Sequence, residues 1–497
     1  MLKGVSYYVA HGVIMEEEKA PSGEMAKSAP RSRTLWIVIA VLIVTNAVTL
    51  AAGFAGVFSS PPAKPALVIG TLLSLTGGLS PYGPSDTRGA KLAVAEINAA
   101  GGVLGQPIQV FSEDDQTKSL AAAAAATKLI TQNHVDAIVG AQFSGGSLSS
   151  LDTVISNAVP MVSPSATSVK LSDLSVTRGW FFRTISSDAL QGAVAGSYLY
   201  TNSSFRYAGV LAINNPYGVG LANNFKAKFT SLGGTINGTP VIIPEAQTDY
   251  TGALNQLFTS GASTAPEVVY FVGYPDTGLT VMKQWQAGLS SHSWWNRQWV
   301  FSEGLDDQGF IDSLRGASVG VDVTKIWGTS PAAPNSTLYN GFVSRYKAAY
   351  NNEVPALYAS HAYDAVYMIA LAAQKAGAVD GVSIRSELRA VSGPNGTVIN
   401  GAEWPKALAE IAANHMINWE GASGSENLNS TNDPGRGSYE VWGVSAAPNY
   451  QIYRLAYFGE SLVVPAAAAL QSVGQSAQPD GANSFTTQLV AAPFRLN

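Results

Sequence analysis

The chain has 497 residues, a formal net charge of −5 and only 13% charged residues. No basic stripe offers itself to nucleic acid, and the absence of cysteine excludes disulfides, thiolate metal sites, cysteine nucleophiles and lipid attachment at a cysteine. At this length, with 46% hydrophobic residues, two or three compact units are expected.

Residues 1–34 read as a short cytoplasmic tail with a Glu16-Glu17-Glu18 cluster. Leu35 to Phe58 then runs for 24 residues without a charge. As a helix it would extend about 36 Å, against a hydrocarbon core of about 30 Å, and it is predicted to be a transmembrane helix. Lys27, Arg31 and Arg33 precede it and only Lys64 closely follows. The positive-inside rule therefore predicts a single-pass protein of the cell membrane with everything after residue 60 extracellular. Small residues at Ala51-Ala52-Gly53 and Phe54-Ala55-Gly56 would suit a cleaved signal peptide. The length of the run and the 34 residues before it favour an uncleaved signal anchor. Residues 59–65 form a stiff proline-containing linker. Sequons at Asn202, Asn237, Asn335, Asn395 and Asn429 agree with export.

From Ala66 the pattern alternates between strand and helix. Leu67 to Leu75 is predicted as a strand, Thr87 to Ala100 as a helix stopped by Gly101-Gly102, and Ile108 to Ser112 as a second strand. Ser119 to Gln132 is an alanine-rich helix; Ala137–Gly140 and Pro160–Ser163 are further strands. This is doubly wound order with a parallel sheet. The order restarts at Tyr207 with strands over Ala208–Ile213 and Thr239–Ile243 and helices over Gly220–Leu232 and Leu254–Thr259. Later helices, Leu338–Tyr350 and Ala356–Ala376, are expected to return to the first unit. Residues 459–497, rich in Ala, Gln and Ser, read as a poorly ordered tail.

One β-α-β unit carries the chemistry. Buried runs Val268–Tyr274 and Trp299–Gly304 flank a helical segment, Thr277 to Leu289. They leave Tyr274 and Glu303 at the carboxyl ends of neighbouring strands, where open α/β sheets bind ligands. A carboxylate there is costly to bury without a cation, and Arg297 is the only basic residue within six positions. Glu303 therefore suits a ligand's ammonium. No catalytic set emerges: the five histidines lack metal-ligand spacing, and there is neither a nucleophile elbow nor a phosphate-binding glycine loop. No cofactor and no metal are expected.

The order of these segments over residues 66–458 resembles the type I periplasmic binding proteins, specifically the branched-chain amino acid (Leu/Ile/Val) receptors of ABC transporters. Ile69–Gly77 with Tyr82-Gly83, the run Glu96–Gly105, Asp114-Asp115 and Ile138–Gly140 carry the resemblance. It implies two α/β lobes joined by three crossover strands near residues 183–187, 326–330 and 437–443. Lobe 1 would comprise 66–184 and 328–438, and lobe 2 would comprise 185–327 and 440–458. It also implies Ser144 as a hydroxyl at a helix start for the ligand carboxylate, with Ser165 and Ala166 offering main-chain groups and Thr167 its hydroxyl. Glu303 would pair with the α-ammonium, and Tyr82, Tyr217 and Tyr274 would wall the cleft. The pattern departs from the family at Phe143, where the best-known members carry a disulfide cysteine, and at Gly145 and Gly146, which replace serines. Segment 400–437 is longer than the family norm. The implied protein is a membrane-anchored monomer that is not an enzyme, hands an apolar α-amino acid to an ABC permease, and closes by hinge motion. An amide or urea receptor of the same fold and a ligand-sensing ectodomain are the alternatives.

Overall fold

The computed structural model describes residues 65–258 and 266–459. The expected tail, membrane helix and most of the linker lie outside these residues, as does all but the first residue of the expected C-terminal tail. Among the described residues no helix is long and apolar enough to cross a membrane.

The first sheet has strands β1 (Val68–Leu73), β2 (Gln109–Asp114), β3 (Ala137–Gly140), β4 (Met161–Ser163) and β5 (Phe181–Arg183), all parallel, in the order β2-β1-β3-β4-β5. Apolar β1 and β3 occupy interior positions and are buried on both faces, as a sheet covered by helices requires. Polar β2 forms an edge. Helices Gly83–Ala99 and Ala359–Ala376 pack on one another. Together with Leu67, Ile69, Val139 and Val162 they build one apolar core. The alanine-rich helix Ser119–Thr131 covers the other face, burying Ala122, Ala126 and Leu129.

The second sheet contains β6 (Tyr207–Ile213), β7 (Thr235–Ile236), β8 (Val241–Ile243), β9 (Val268–Val272), β10 (Gln298–Phe301) and β11 (Trp327–Pro331). A two-stranded piece, β12 (Thr397–Ile399) and β13 (Ile417–Trp419), stands apart, and β14 (Tyr439–Val444) and β15 (Ile452–Phe458) complete the second sheet. Its order is β15-β14-β11-β10-β9-β6-β7, with β8 also on β6. The β14–β15 hairpin adds to β11 in antiparallel sense, an element that the sequence reading did not foresee.

The chain leaves the first sheet after Arg183 and enters the second at Tyr207. The expected second passage at 326–330 is β11 itself, paired along its length with β14, so the return to the first core follows Pro331. There Phe342 and Tyr346 of helix Thr337–Ala349 join Leu67 and Ile69. The third passage likewise precedes Tyr439, because β14 is a strand of the second sheet. A cavity of about 320 Å³ lies among these passages, lined by Thr184–Ser186, Pro331, Ala332 and Arg436–Tyr439. The hydroxyls of Thr184 and Ser186 donate to the carbonyls of His361 and Arg436, which ties the first passage to its neighbours.

Candidate ligand-binding site

A second cavity, of about 300 Å³, opens where the carboxyl ends of both sheets face each other. From the first sheet come Leu79, Gln142, Phe143, Ser144, Ser165, Thr167 and Tyr358; from the second, Tyr217, Tyr274, Glu303 and Gly304. Six of the eight residues singled out in the sequence therefore meet here, although Ser144 and Glu303 stand 159 positions apart (303 − 144).

Helix Ser144–Ser156 begins after β3, and its first turn has no side-chain cap, which leaves its first backbone N–H groups without an intrahelical partner where Ser144 lines the cavity. Ser144 Oγ accepts from Ser168 N at 3.1 Å, and Ser165 Oγ donates to Gln142 O at 2.6 Å. This joins the two loops that carry the hydroxyls. Ala166 and Tyr82 are placed differently from expectation. Ala166 does not line the cavity, and its main-chain groups are taken: its N–H donates to Ser163 Oγ and its carbonyl accepts from Arg183. Tyr82 sits behind the wall, where its hydroxyl donates to the Glu303 carbonyl at 3.1 Å. It positions Glu303 and does not face the cavity.

At the opposite side, Phe301 ends β10 in register with Phe271 of β9. Tyr274 and Glu303 therefore emerge side by side. A Cβ on Gly304 would come within 2.3 Å of the Gly273 carbonyl, so only glycine lets these two loops approach so closely. Tyr217 and Tyr274 stack with centroids 5.5 Å apart and an interplanar angle of 2°, and Tyr217 donates to Ser302 Oγ at 2.8 Å.

Glu303 is 2% exposed and accepts from Gln191 Nε2 at 2.5 Å. Arg297 precedes β10, at the end of the strand away from Glu303, and no ion pair involves Glu303 among the described residues. Next to it stands a carboxylate that sequence reasoning missed. Asp188, the first residue of helix Asp188–Ser197, is fully buried, and neither of its oxygens meets hydrogen-bond geometry with a partner. The nearby Thr167 hydroxyl and Arg183 only moderate its charge. Burial raises the carboxyls of both Glu303 and Asp188, and Asp188's charge raises Glu303 further. Gln191, Leu79 and Tyr358 were also missed. The one sequence signal for Asp188 was its position as an acid immediately beyond the first passage.

Glu303 is thus a buried acid raised by a second one and without a cation of its own among the described residues, while Arg183 tempers Asp188. The sign of the pH dependence follows. Glu303 is lifted from 4.5 to about 8 in the folded chain, so the stability it contributes is complete below pH 4.5 and lost as pH rises through about 8. Asp188, lifted from 3.8 to about 7, acts in the same sense. The ligand-free protein is expected to lose melting temperature as pH rises from about 4.5 to about 8. Stabilisation by a cationic ligand should grow over the same range, because only the ionised pair attracts it. Thermal melts with and without ligand at pH 5, 6.5 and 8 test this; a ligand-induced shift independent of pH would count against it.

Two α/β sheets with a polar, partly aromatic cavity between their carboxyl ends define a two-lobed solute receptor. A model of the periplasmic binding protein family matches residues 66–405, and the chain belongs to that family, whose members are ligand-binding receptors and not enzymes. Its fold is the type I periplasmic binding protein fold. The chain is 28% identical over 343 residues to a leucine-, isoleucine-, valine-, threonine- and alanine-binding protein of Pseudomonas aeruginosa, covering 68% of this chain and 86% of that protein. It is similar in structure to a leucine-binding protein, LivK, of Thermotoga maritima: TM-score 0.63, 25% identity, 79% of this chain and 99% of that one. The branched-chain amino acid transporter substrate-binding protein LivJ of Streptococcus pneumoniae, solved with isoleucine, shares the fold. It gives a TM-score of 0.62 at 23% identity over 78% of this chain and 99% of that one.

Proposed function

We propose that the chain is the substrate-binding component of an ABC importer and captures an apolar α-amino acid between its lobes. The observation that carries this reading is buried Glu303, which lines the cavity beside the second buried acid Asp188 and has no ion-pair partner among the described residues. An ammonium would neutralise it, while the hydroxyls of Ser144 and Thr167 and the uncapped helix start suit a carboxylate at the other end. The substrates named for the relatives support the same class. Urea and amides carry no ammonium and leave the acids unanswered. A thermal-shift screen of the purified chain against the amino acids, small amides and urea tests the proposal. A true ligand at a hundredfold excess over Kd is expected to stabilise by about 2.7 kcal/mol. A response to amides or urea with none to α-amino acids would overturn it.

In this reading residues 35–58 tether the receptor to the cell membrane, the binding domain lies outside the cell as a monomer, and a separate permease receives the ligand. The charge-free run and the flanking Lys27, Arg31 and Arg33 support the tether. Protease added to intact cells is expected to release a soluble fragment beginning near residue 60. A mature protein that begins near residue 53–57 and is not retained by the membrane would remove the anchor.

A further inference from the structure

Phe143 occupies the N-cap of helix Ser144–Ser156, is 5% exposed and lines the cavity beside Leu79 and Tyr358. Its ring is backed by the first turn of its own helix. A Cβ added to Gly146 would lie 2.7 Å from Phe143 Cε1 and 3.1 Å from Ala122 Cβ; one added to Gly145 would lie 3.0 Å from Phe143 Cε2. The ring therefore fills the space that side chains at 145 and 146 would otherwise take. It cannot retreat from the cavity, since helix backbone and Ala122 stand behind it. Tyr358 and the Tyr217–Tyr274 stack complete the apolar lining.

We infer that Phe143, seated on Gly145 and Gly146, sets the upper size of the ligand side chain and makes the site select compact aliphatic α-amino acids over aromatic ones. The inference rests on the amino acid reading proposed above and adds the specificity-determining residue. With the ammonium held at Glu303 and the carboxylate at Ser144, the side chain is left to the apolar lining of Leu79, Phe143 and Tyr358. A close-packed wall resists a larger group because neither ring nor backbone has free space to enter. Size discrimination in such pockets amounts to roughly 10–200-fold per methylene.

The test is calorimetric titration of the full-length chain with alanine, valine, leucine and phenylalanine, repeated for Phe143→Ala and Gly146→Ala. The parent is expected to bind valine or leucine at least about tenfold more tightly than phenylalanine. Phe143→Ala should shift that ratio by about tenfold or more toward phenylalanine. Gly146→Ala, which drives the ring into the cavity, should shift preference the opposite way, toward alanine over leucine. Should Phe143→Ala lose its cooperative melt, Phe143→Leu and Gly146→Ala decide the matter. A parent that prefers phenylalanine, or ratios unmoved in variants that still bind, overturns this inference alone. A parent that binds no α-amino acid overturns the proposed function and this inference with it.

Discussion

Replacing Glu303 by Gln is expected to weaken α-amino acid binding by roughly 2–5 kcal/mol, the usual cost of deleting one member of a buried charge pair. The substitution keeps the shape of the side chain and removes the charge. Gln191, which now donates to Glu303 Oε2 and also to the Thr329 carbonyl at 3.1 Å, can still be met by an amide oxygen. Tyr82 holds the residue 303 main chain and is unaffected. The ligand-free variant should be at least as stable as the parent near neutral pH, since the repulsion between Glu303 and Asp188 disappears. Titration calorimetry and thermal melts read the two effects separately. Binding as tight as the parent's would make the carboxylate structural and strengthen the amide-receptor alternative.

Asp433→Ala is expected to cost about 3–5 kcal/mol of folding stability, because it strands a buried cation. Arg183 is fully buried at the end of β5, and its Nε donates to Asp433 Oδ1 at 2.6 Å. Its Nη1 donates to the carbonyls of Ala166 and Ser168, and its Nη2 to Ser172 Oγ. The guanidinium thus pins the loop bearing Ser165 and Thr167 to the segment that precedes the third passage. Urea denaturation should show a lower midpoint at an unchanged m-value. Replacing the pair together, Arg183→Met with Asp433→Leu, should cost less than the single change, since no lone charge is then buried. A shift below about 1 kcal/mol for Asp433→Ala would class the pair with exposed ion pairs, contrary to its burial.

Much of this architecture is legible in the chain order of apolar runs. β3 was expected over Ala137–Gly140 and is found there, because a short apolar stretch closed by glycine has few other uses. Helices begin earlier than expected where proline and polar residues supply the first turn: Gly83–Ala99 starts four residues before the predicted Thr87 (87 − 83), and Pro216–Ser231 starts four before Gly220 (220 − 216). The extra antiparallel hairpin escaped notice because Tyr439–Val444 and Ile452–Phe458 alternate without stating which strand they will join.

The sequence by itself determined where Tyr274 and Glu303 stand, since a parallel β-α-β unit leaves its loops at one end of the sheet by local geometry alone. Only the tertiary structure decided what surrounds them. Gln191 reaches Glu303 across 112 positions, and Tyr82 reaches it across 221. Asp188 becomes a second buried acid only because the first passage folds its helix against Glu303, which Gln191 of that helix meets. Tyr358 lines the wall because its loop packs against residues of the other sheet, in one apolar cluster with Tyr217 and Tyr274. Ala166 lost its expected part for the same reason: Arg183 and Ser163 satisfy its main chain from outside its own segment. Periodicity reports which face of an element is buried, whereas the partner of a buried polar group is chosen by whatever distant segment the fold brings within about 3 Å.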